Sequence, residues 1–311
     1  MHELFLTAVV PDAELERAKA LLQGLSGMAA YASIQRVLYF AGPPQPRGLV
    51  VRRSLPTPLL PTQVRLWSEL HQQLSRQSFV VQARYALQPA DFGQPPLLSP
   101  VEGGGDGPAA VSTARLNSTP GTLRWTDIPD PTPGGGGNRL VMQRKKIEIA
   151  DTRGLPAILQ DNNYRFKAEL VEESFAFFAN NNEYALVRLH RLPTNPASGA
   201  GGMADMATAT TVPQPLVALP PWDEVVSSAP TAAALPVDPA GQWLLFVRRH
   251  VLDDTSPEKM ASALEALDAV RTQLAGAFFF RPVDRRAHDT RIERPVNNMP
   301  VPLPQRVRGT V

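Results

Sequence analysis

From Arg139 to Arg191 the chain is dense in alternating, strand-like sequence, and on both sides it gives way to stretches rich in Gly, Pro, Ala and Ser or Thr. A core that tolerates such inserts brings distant strands together into one closed sheet. Val141–Ala150 reads as a strand with Gln143, Lys145, Ile147 and Ile149 on one parity, an imperfect alternation. Gly154-Leu155-Pro156 restarts the chain, and Asp161-Asn162-Asn163 is a turn signature. Tyr164, Phe166, Ala168 and Leu170 then fall on even positions, whereas Val171, Phe175 and Phe177 fall on odd ones. A phase slip near Leu170-Val171 is what a β-bulge produces, and bulges bend long strands around barrels. Glu183–Arg191 returns as the partner strand. No complete catalytic constellation lies in this segment, which favours binding over chemistry.

The rest of the chain supplies more strands and few helices. Leu4–Val10 is a short apolar strand. A helix follows, with Asp12 as N-cap, Leu15, Ala18 and Leu22 on one face, and Gly24 at its end. Ile34–Phe40 is a strand stopped by Gly42-Pro43-Pro44, and Leu49–Arg53 is a candidate to pair with it. Val64, Trp67, Leu70 and Leu74 share one helical face over Thr62–Arg76. Phe79, Val81, Ala83, Tyr85 and Leu87 alternate through Ser78–Leu87, and Leu123-Arg124-Trp125 is a short strand. Gln242–Leu252 is a strong strand. The best helix comes next, with Ser256 as N-cap, Pro257 at its first position, a stripe of Met260, Ala263, Leu264, Leu267, Val270 and Leu274, and Gly276 at its end. Ala277–Val283 is a last strand. About ten strands and three helices are too few helices for βαβ alternation. The expectation is a mainly β (α+β) fold: a single antiparallel β-barrel with about three packed helices. One barrel domain spans residues 1–293, interrupted by flexible inserts at about 88–121, 129–138 and 193–241, and 294–311 form a disordered tail. Pro220-Pro221-Trp222 is the one conspicuous anchor of the largest insert.

Composition narrows the function classes. Hydrophobic residues make up 43% of the 311, enough for a sizeable core, while 32 Pro and 21 Gly concentrate in the inserts. A net charge of +2 does not force a nucleic-acid reading. The absence of Cys excludes disulfides, thiol nucleophiles and Cys-ligated zinc, and fits a reducing compartment. The N-terminal segment lacks the basic and apolar regions of a signal peptide, and no apolar run approaches the roughly 20 residues of a membrane helix. The expectation is a soluble, intracellular protein.

The search for chemistry returns little. There is no Gly-x-Ser-x-Gly elbow, and the glycines Gly134–Gly137 lead into a strand instead of the helix N-terminus that a phosphate cradle requires. His250 with Asp253 and Asp254 reads as a strand end running into a helix start, and His288-Asp289 among Arg285, Arg286 and Arg291 as a solvated loop. A tunnel phosphohydrolase that cleaves triphosphates would need Glu-x-Glu on two strands, so that two inward carboxylates hold a divalent metal. The lone Glu-x-Glu, Glu14-Leu15-Glu16, falls in the first helix, and Glu172-Glu173 are adjacent and so face opposite sides. Arg144-Lys145-Lys146, Arg248-Arg249 and Arg285-Arg286 read as solvated strand faces or ends, not as an RNA-binding surface. No catalytic, cofactor-binding or metal-ligating residue is assigned. The apolar surplus is more informative. Phe278 and Phe280 are expected to fill the barrel interior with Phe279 facing out, and Phe175 and Phe177 to share a side with Phe178 on the other. Phe178 and Phe279 are therefore the candidate partner-binding residues.

Taken in order, MHELFLTAVV, RVLYFAGPP, RQSFVVQARYAL, LRWTDIPDP, RKKIEI, LPAILQDNNYRFKAELVEESFAFF, WLLFVRRHVLDDTSPEKM and RPVDRRAHDTRI resemble the Mediator subunit 18 family in its fungal form. The resemblance runs through nearly the whole ordered chain and skips the inserts. It implies a β-barrel related in shape to the triphosphate-tunnel fold but without enzymatic activity. It also implies a heterodimer with Mediator subunit 20, capture of a C-terminal helix of Mediator subunit 8, and contact with RNA polymerase II through a head module that supports preinitiation-complex assembly. A nuclear location goes with that role. No basic run reads as a nuclear localisation signal, so entry through partners is the expectation.

Overall fold

The structure, a computed structural model, describes residues 1–51, 61–88, 91, 115–131, 140–191, 235–252 and 256–293. In chain order these form β1 (His2–Val10), α1 (Leu15–Ser26), β2 (Tyr31–Ala41), α2 (Pro61–Arg76), β3 (Val80–Leu87) and β4 (Gly121–Thr126). Next come β5 (Asp130–Pro131), β6 (Met142–Thr152), α3 (Leu155–Asp161), β7 (Arg165–Ala179) and β8 (Asn182–Arg191). The last are β9 (Leu235–Pro236), β10 (Trp243–Val251) and α4 (Pro257–Leu274).

All pairings are antiparallel. The sheet runs β1-β10-β8-β7-β2-β3-β4-β6, and β1 also pairs with β6 through His2–Lys145 to Phe5–Met142, so eight strands close into a barrel. The two-residue strands β5 and β9 flank it on β6 and β8. Directly paired residues share a face, so the register sorts every side chain into outward or inward. Leu4, Leu6 and Ala8 face outward beneath α1 and α4, with Leu22, Leu267 and Leu274 in one cluster. Leu38, Val81, Ala83, Leu123 and Ile149 face outward beneath α2 and α3, with Trp67, Leu70 and Leu159 in a second. The apolar part of the barrel interior is smaller: Phe5, Met142, Ala185, Val187 and Phe246. The helices thus build most of the core on the outside of the wall.

Several local expectations need correction. The bulge lies between Phe166 and Ala168, where Tyr39 pairs with Ala168 but Phe40 pairs with Phe166, leaving Lys167 as the extra residue. Pairing runs unbroken through Leu170-Val171, and the apparent slip there arose because both faces of β7 carry apolar side chains. Asp12 does not cap α1. It sits in a 3-10 turn before the helix, and the helix ends at Gly27, which adopts φ +68°. Leu49–Val51 do not pair with β2; Asn162 instead holds Val50, accepting its N–H and donating to its C=O at 2.8 and 2.9 Å. The Leu49–Arg53 reading otherwise falls outside the described residues. Ala277–Val283 makes a single bridge, Phe280 to Ala8, instead of a strand. Among the described residues there are also more helices than expected. α3 begins at Leu155, with Pro156 in its first turn, and is seven residues long, too short to show a period. Much of the expected inserts and tail, Pro220-Pro221-Trp222 included, lies outside the described residues. Of the pieces that are described, 115–118 form a helical turn that buries Leu116, and β5 and β9 pair with the barrel.

Candidate functional site

The register places a belt of charge inside the barrel. β6 turns Arg144, Lys146 and Glu148 inward at every second position, β1 contributes Glu3, and β10 contributes Arg248. β8 adds Glu183, β7 Glu172, β3 Arg84 and β4 Arg124. Glu3 is 1% exposed. Its carboxylate accepts from Arg144 at 2.5 Å, with Lys146 at 3.5 Å and Arg248 at 3.7 Å. Arg84 is bonded to Glu172 and Arg124 to Glu148, while Lys146 reaches Glu148 at 3.2 Å and Arg248 reaches Glu183 at 3.0 Å.

These contacts set the protonation states. Burial pushes the Glu3 carboxyl up, but Arg144, Lys146 and Arg248 together outweigh it and hold the group well below the usual carboxylate range. Burial likewise opposes ionisation of Glu183, and the His250 hydrogen bond with the Arg248 charge overcomes it, bringing the carboxyl down to about 2. Glu172 and Glu148 are lowered in the same way, against their burial, chiefly by Arg84 and Arg124 respectively. Burial lowers Arg84, and Glu172 opposes that.

This belt was not foreseen. Arg144, Lys146 and Arg248 were expected on solvated faces, yet they point inward, with side chains 12%, 8% and 16% exposed. Their strand neighbours do face out: Lys145 pairs with Glu69 of α2 at 2.8 Å, and Arg249 donates to Asn180 and Asn182. The missed signal was the alternation Arg144-x-Lys146-x-Glu148, which matches inward Glu3 and Arg124 across the two flanking strands. Glu172 and Glu173 do face opposite sides. Glu173 lies on the outer wall, where His190 Nε2 is 2.7 Å from its Oε2 and Arg188 donates to the same oxygen. Arg188 also stacks 4.2 Å from the Trp243 ring and shares Asp12 with the Trp243 Nε1–H. His250, read as the end of a strand, lies at the end of β10 and 3.4 Å from Glu183, and Asp253 and Asp254 fall outside the described residues. Among the described residues, no group of three or more His, Asp or Glu is placed to hold a metal ion.

The aromatic residues are arranged differently from the expectation. Phe278 and Phe280 pack outside the wall with α4 and β1, not in the interior. Phe175 and Phe177 also face outward, and Phe177 is fully buried. Phe178 has inward parity, opposite Glu183, but stands at the barrel rim beside the Asn180-Asn181 turn and is 52% exposed. Its N–H donates to Met28 Sδ at 3.2 Å. Phe279 is 83% exposed next to a small groove lined by Val10, Pro11, Arg17 and Leu21. The two rings lie at opposite ends of the barrel, so they do not form one patch. At the Phe178 end, Tyr31 is also exposed, and a cavity of about 430 Å³ opens between Tyr31, Ser33, Gln35, Gln88 and Ser174.

Comparison with known proteins completes the description. The family model described as Med18 protein matches residues 2–291. The chain is 25% identical over 303 residues to Mediator of RNA polymerase II transcription subunit 18 of Aspergillus oryzae, covering 94% of this chain and 99% of that protein. It is 25% identical over 299 residues to the protein of the same name from Neosartorya fischeri, at the same coverage. Among solved structures it is similar in fold to a chain of the Schizosaccharomyces pombe Mediator head module, with a TM-score of 0.55 and 14% identity over 91% of this chain and 99% of that one.

Proposed function

As this chain belongs to the Med18 protein family, we propose that it acts as a non-enzymatic docking barrel in the head module of Mediator. It pairs there with Mediator subunit 20, captures the C-terminal helix of Mediator subunit 8, and through the assembled module contacts RNA polymerase II in the nucleus. One observation carries the non-enzymatic part. Where a tunnel phosphohydrolase would hold a metal between inward carboxylates, each of Glu3, Glu148, Glu172 and Glu183 is already engaged by an Arg or Lys of the same wall. The docking surfaces are Phe178 at one rim and Phe279 at the other end, whose exposed rings would be desolvated under partner subunits.

The test is co-expression with subunits 20 and 8 of the same source, followed by light scattering on the purified material. The expected result is a stable heterotrimer. Phe178→Ser or Phe279→Ser weakens it by about tenfold, while the chain's own unfolding free energy stays within about 0.5 kcal/mol of wild type because both rings are exposed. Elution of the chain alone would overturn the docking reading. Triphosphate hydrolysis with Mg²⁺ or Mn²⁺ that is lost in Glu148→Gln would overturn the non-enzymatic one.

A further inference from the structure

The charge belt does not balance. Arg84, Arg124, Arg144, Lys146 and Arg248 are five inward cations against the four carboxylates Glu3, Glu148, Glu172 and Glu183. The surplus is one positive charge in a wall-enclosed space, where an uncompensated ion costs several kcal/mol. A donor is left over as well: Arg248 Nε–H is buried without a hydrogen-bond partner, 3.7 Å from Glu3, while NH1 is spent on Glu183. The space is not sealed. Arg124 and Glu148 keep about a quarter of their side-chain surface, and the wall of the cavity at the Phe178 end holds two direct neighbours of the belt, Gln35 and Ser174. Ser174, which lines that cavity, follows Glu172 at the next inward position, and Gln35, also in its wall, accepts the Arg84 Nε–H at 2.9 Å. Arg84 and Arg124 are inward neighbours on the adjacent strands β3 and β4 and repel as like charges, so a negative charge beside them relieves that repulsion as well as supplying the missing pair.

We propose that the barrel interior is a binding site for one compact anion of single charge, a small carboxylate or inorganic oxyanion, that enters by the cavity at the Tyr31–Phe178 rim and completes the charge belt against Arg248. Stoichiometry follows from the count: one surplus cation takes one negative charge. A ligand that binds only the folded chain raises its stability with concentration, so the site reports itself without any catalytic readout.

The experiment is calorimetric titration of the full chain with formate, inorganic phosphate and tripolyphosphate at fixed ionic strength and at a mildly acidic pH, where inorganic phosphate is mainly the monoanion, alongside unfolding midpoints in the same series. Formate or phosphate is expected to bind one-to-one and raise the midpoint, and the two arms identify which chemistry the interior prefers. Ser174→Glu places a carboxylate of the chain's own in the cavity, and is expected to weaken anion binding by more than about tenfold. Should that variant fail to fold, Lys146→Met removes one of the five inward cations, and with it the net surplus of charge, and is expected to do the same. Absence of heat and of any midpoint shift with formate and phosphate overturns the proposal. So does tripolyphosphate binding far tighter than phosphate, which would mean an extended polyphosphate site. So does a Ser174→Glu or Lys146→Met chain that folds and binds as wild type does.

Discussion

Replacing Glu3 with Gln is the sharpest test of the interior. The substitution keeps the side chain's shape and one acceptor oxygen but removes the charge that three cations face. Breaking a buried ion pair by removing one partner costs about 3–5 kcal/mol. Two of the cations retain a second carboxylate, Lys146 at 3.2 Å from Glu148 and Arg248 at 3.0 Å from Glu183, whereas Glu3 is the partner carboxylate of Arg144. The loss therefore belongs at the lower end, about 3 kcal/mol. For a folded unit of this size, each kcal/mol moves the midpoint by about 2–4 °C, so Glu3→Gln should unfold about 6–12 °C earlier. Urea unfolding followed by the fluorescence of the chain's four Trp residues measures the free energy directly. Glu16→Gln is the control: its pair with Lys19 at 2.8 Å is solvent-exposed on the Glu side, and such pairs contribute under about 1 kcal/mol. A Glu3→Gln chain within about 1 kcal/mol of wild type would refute the reasoning, because it would mean that water and not the belt solvates this carboxylate.

Acid stability should follow from the same groups. Glu183 titrates lower in the folded chain than in the unfolded one, so its contribution is complete above the unfolded value near 4.5 and is lost as pH falls toward about 2. Midpoints measured from pH 6 to pH 2 should drop, and Glu183→Gln should flatten that drop while lying below wild type at neutral pH. Leu267, fully buried where α4 meets the wall, should cost about 2–5 kcal/mol as Leu267→Ala, read in chemical denaturation with an unchanged slope. Asn181 holds φ +62° in the β7–β8 turn, where a β-branched residue is strained, so Asn181→Val should destabilise by about 1–2 kcal/mol in the same assay.

What the sequence revealed and what it hid divide along physical lines. Strands with one apolar face were legible: Phe79, Val81, Ala83 and Tyr85 are buried on the side their alternation marks, and α2 and α4 lie where their stripes place them, except that Val64 at the start of α2 is exposed. The barrel itself was legible from strand number and from the scarcity of helices. Direction was not. In most small barrels the apolar parity points inward, but here Leu4, Leu6 and Ala8 point out to the helices and Glu3 points in. Alternation gives the period and is silent about its sign. That inversion misplaced Phe278 and Phe280, and it made the inward Arg144 and Lys146 look like solvent-facing residues. The bulge was misplaced for a related reason: Phe166 and Ala168, on either side of the extra Lys167, are both apolar and of one parity, so the apolar pattern runs through the bulge without a break.

The strand that closes the barrel is β1, which lies between β6 and β10, with Leu6 paired to Val247. On a ribosome adding about 5–20 residues per second, β1 emerges roughly 10–50 s before its second partner exists. Until then its apolar face, Leu4, Leu6 and Ala8, has neither β10 beside it nor α4 over it. Pairings so distant in sequence also make closure slow in a released chain. The barrel is therefore completed by joining its oldest strand to one of its youngest, and the period before that joining is when the chain has most need of a chaperone or an early-arriving partner subunit.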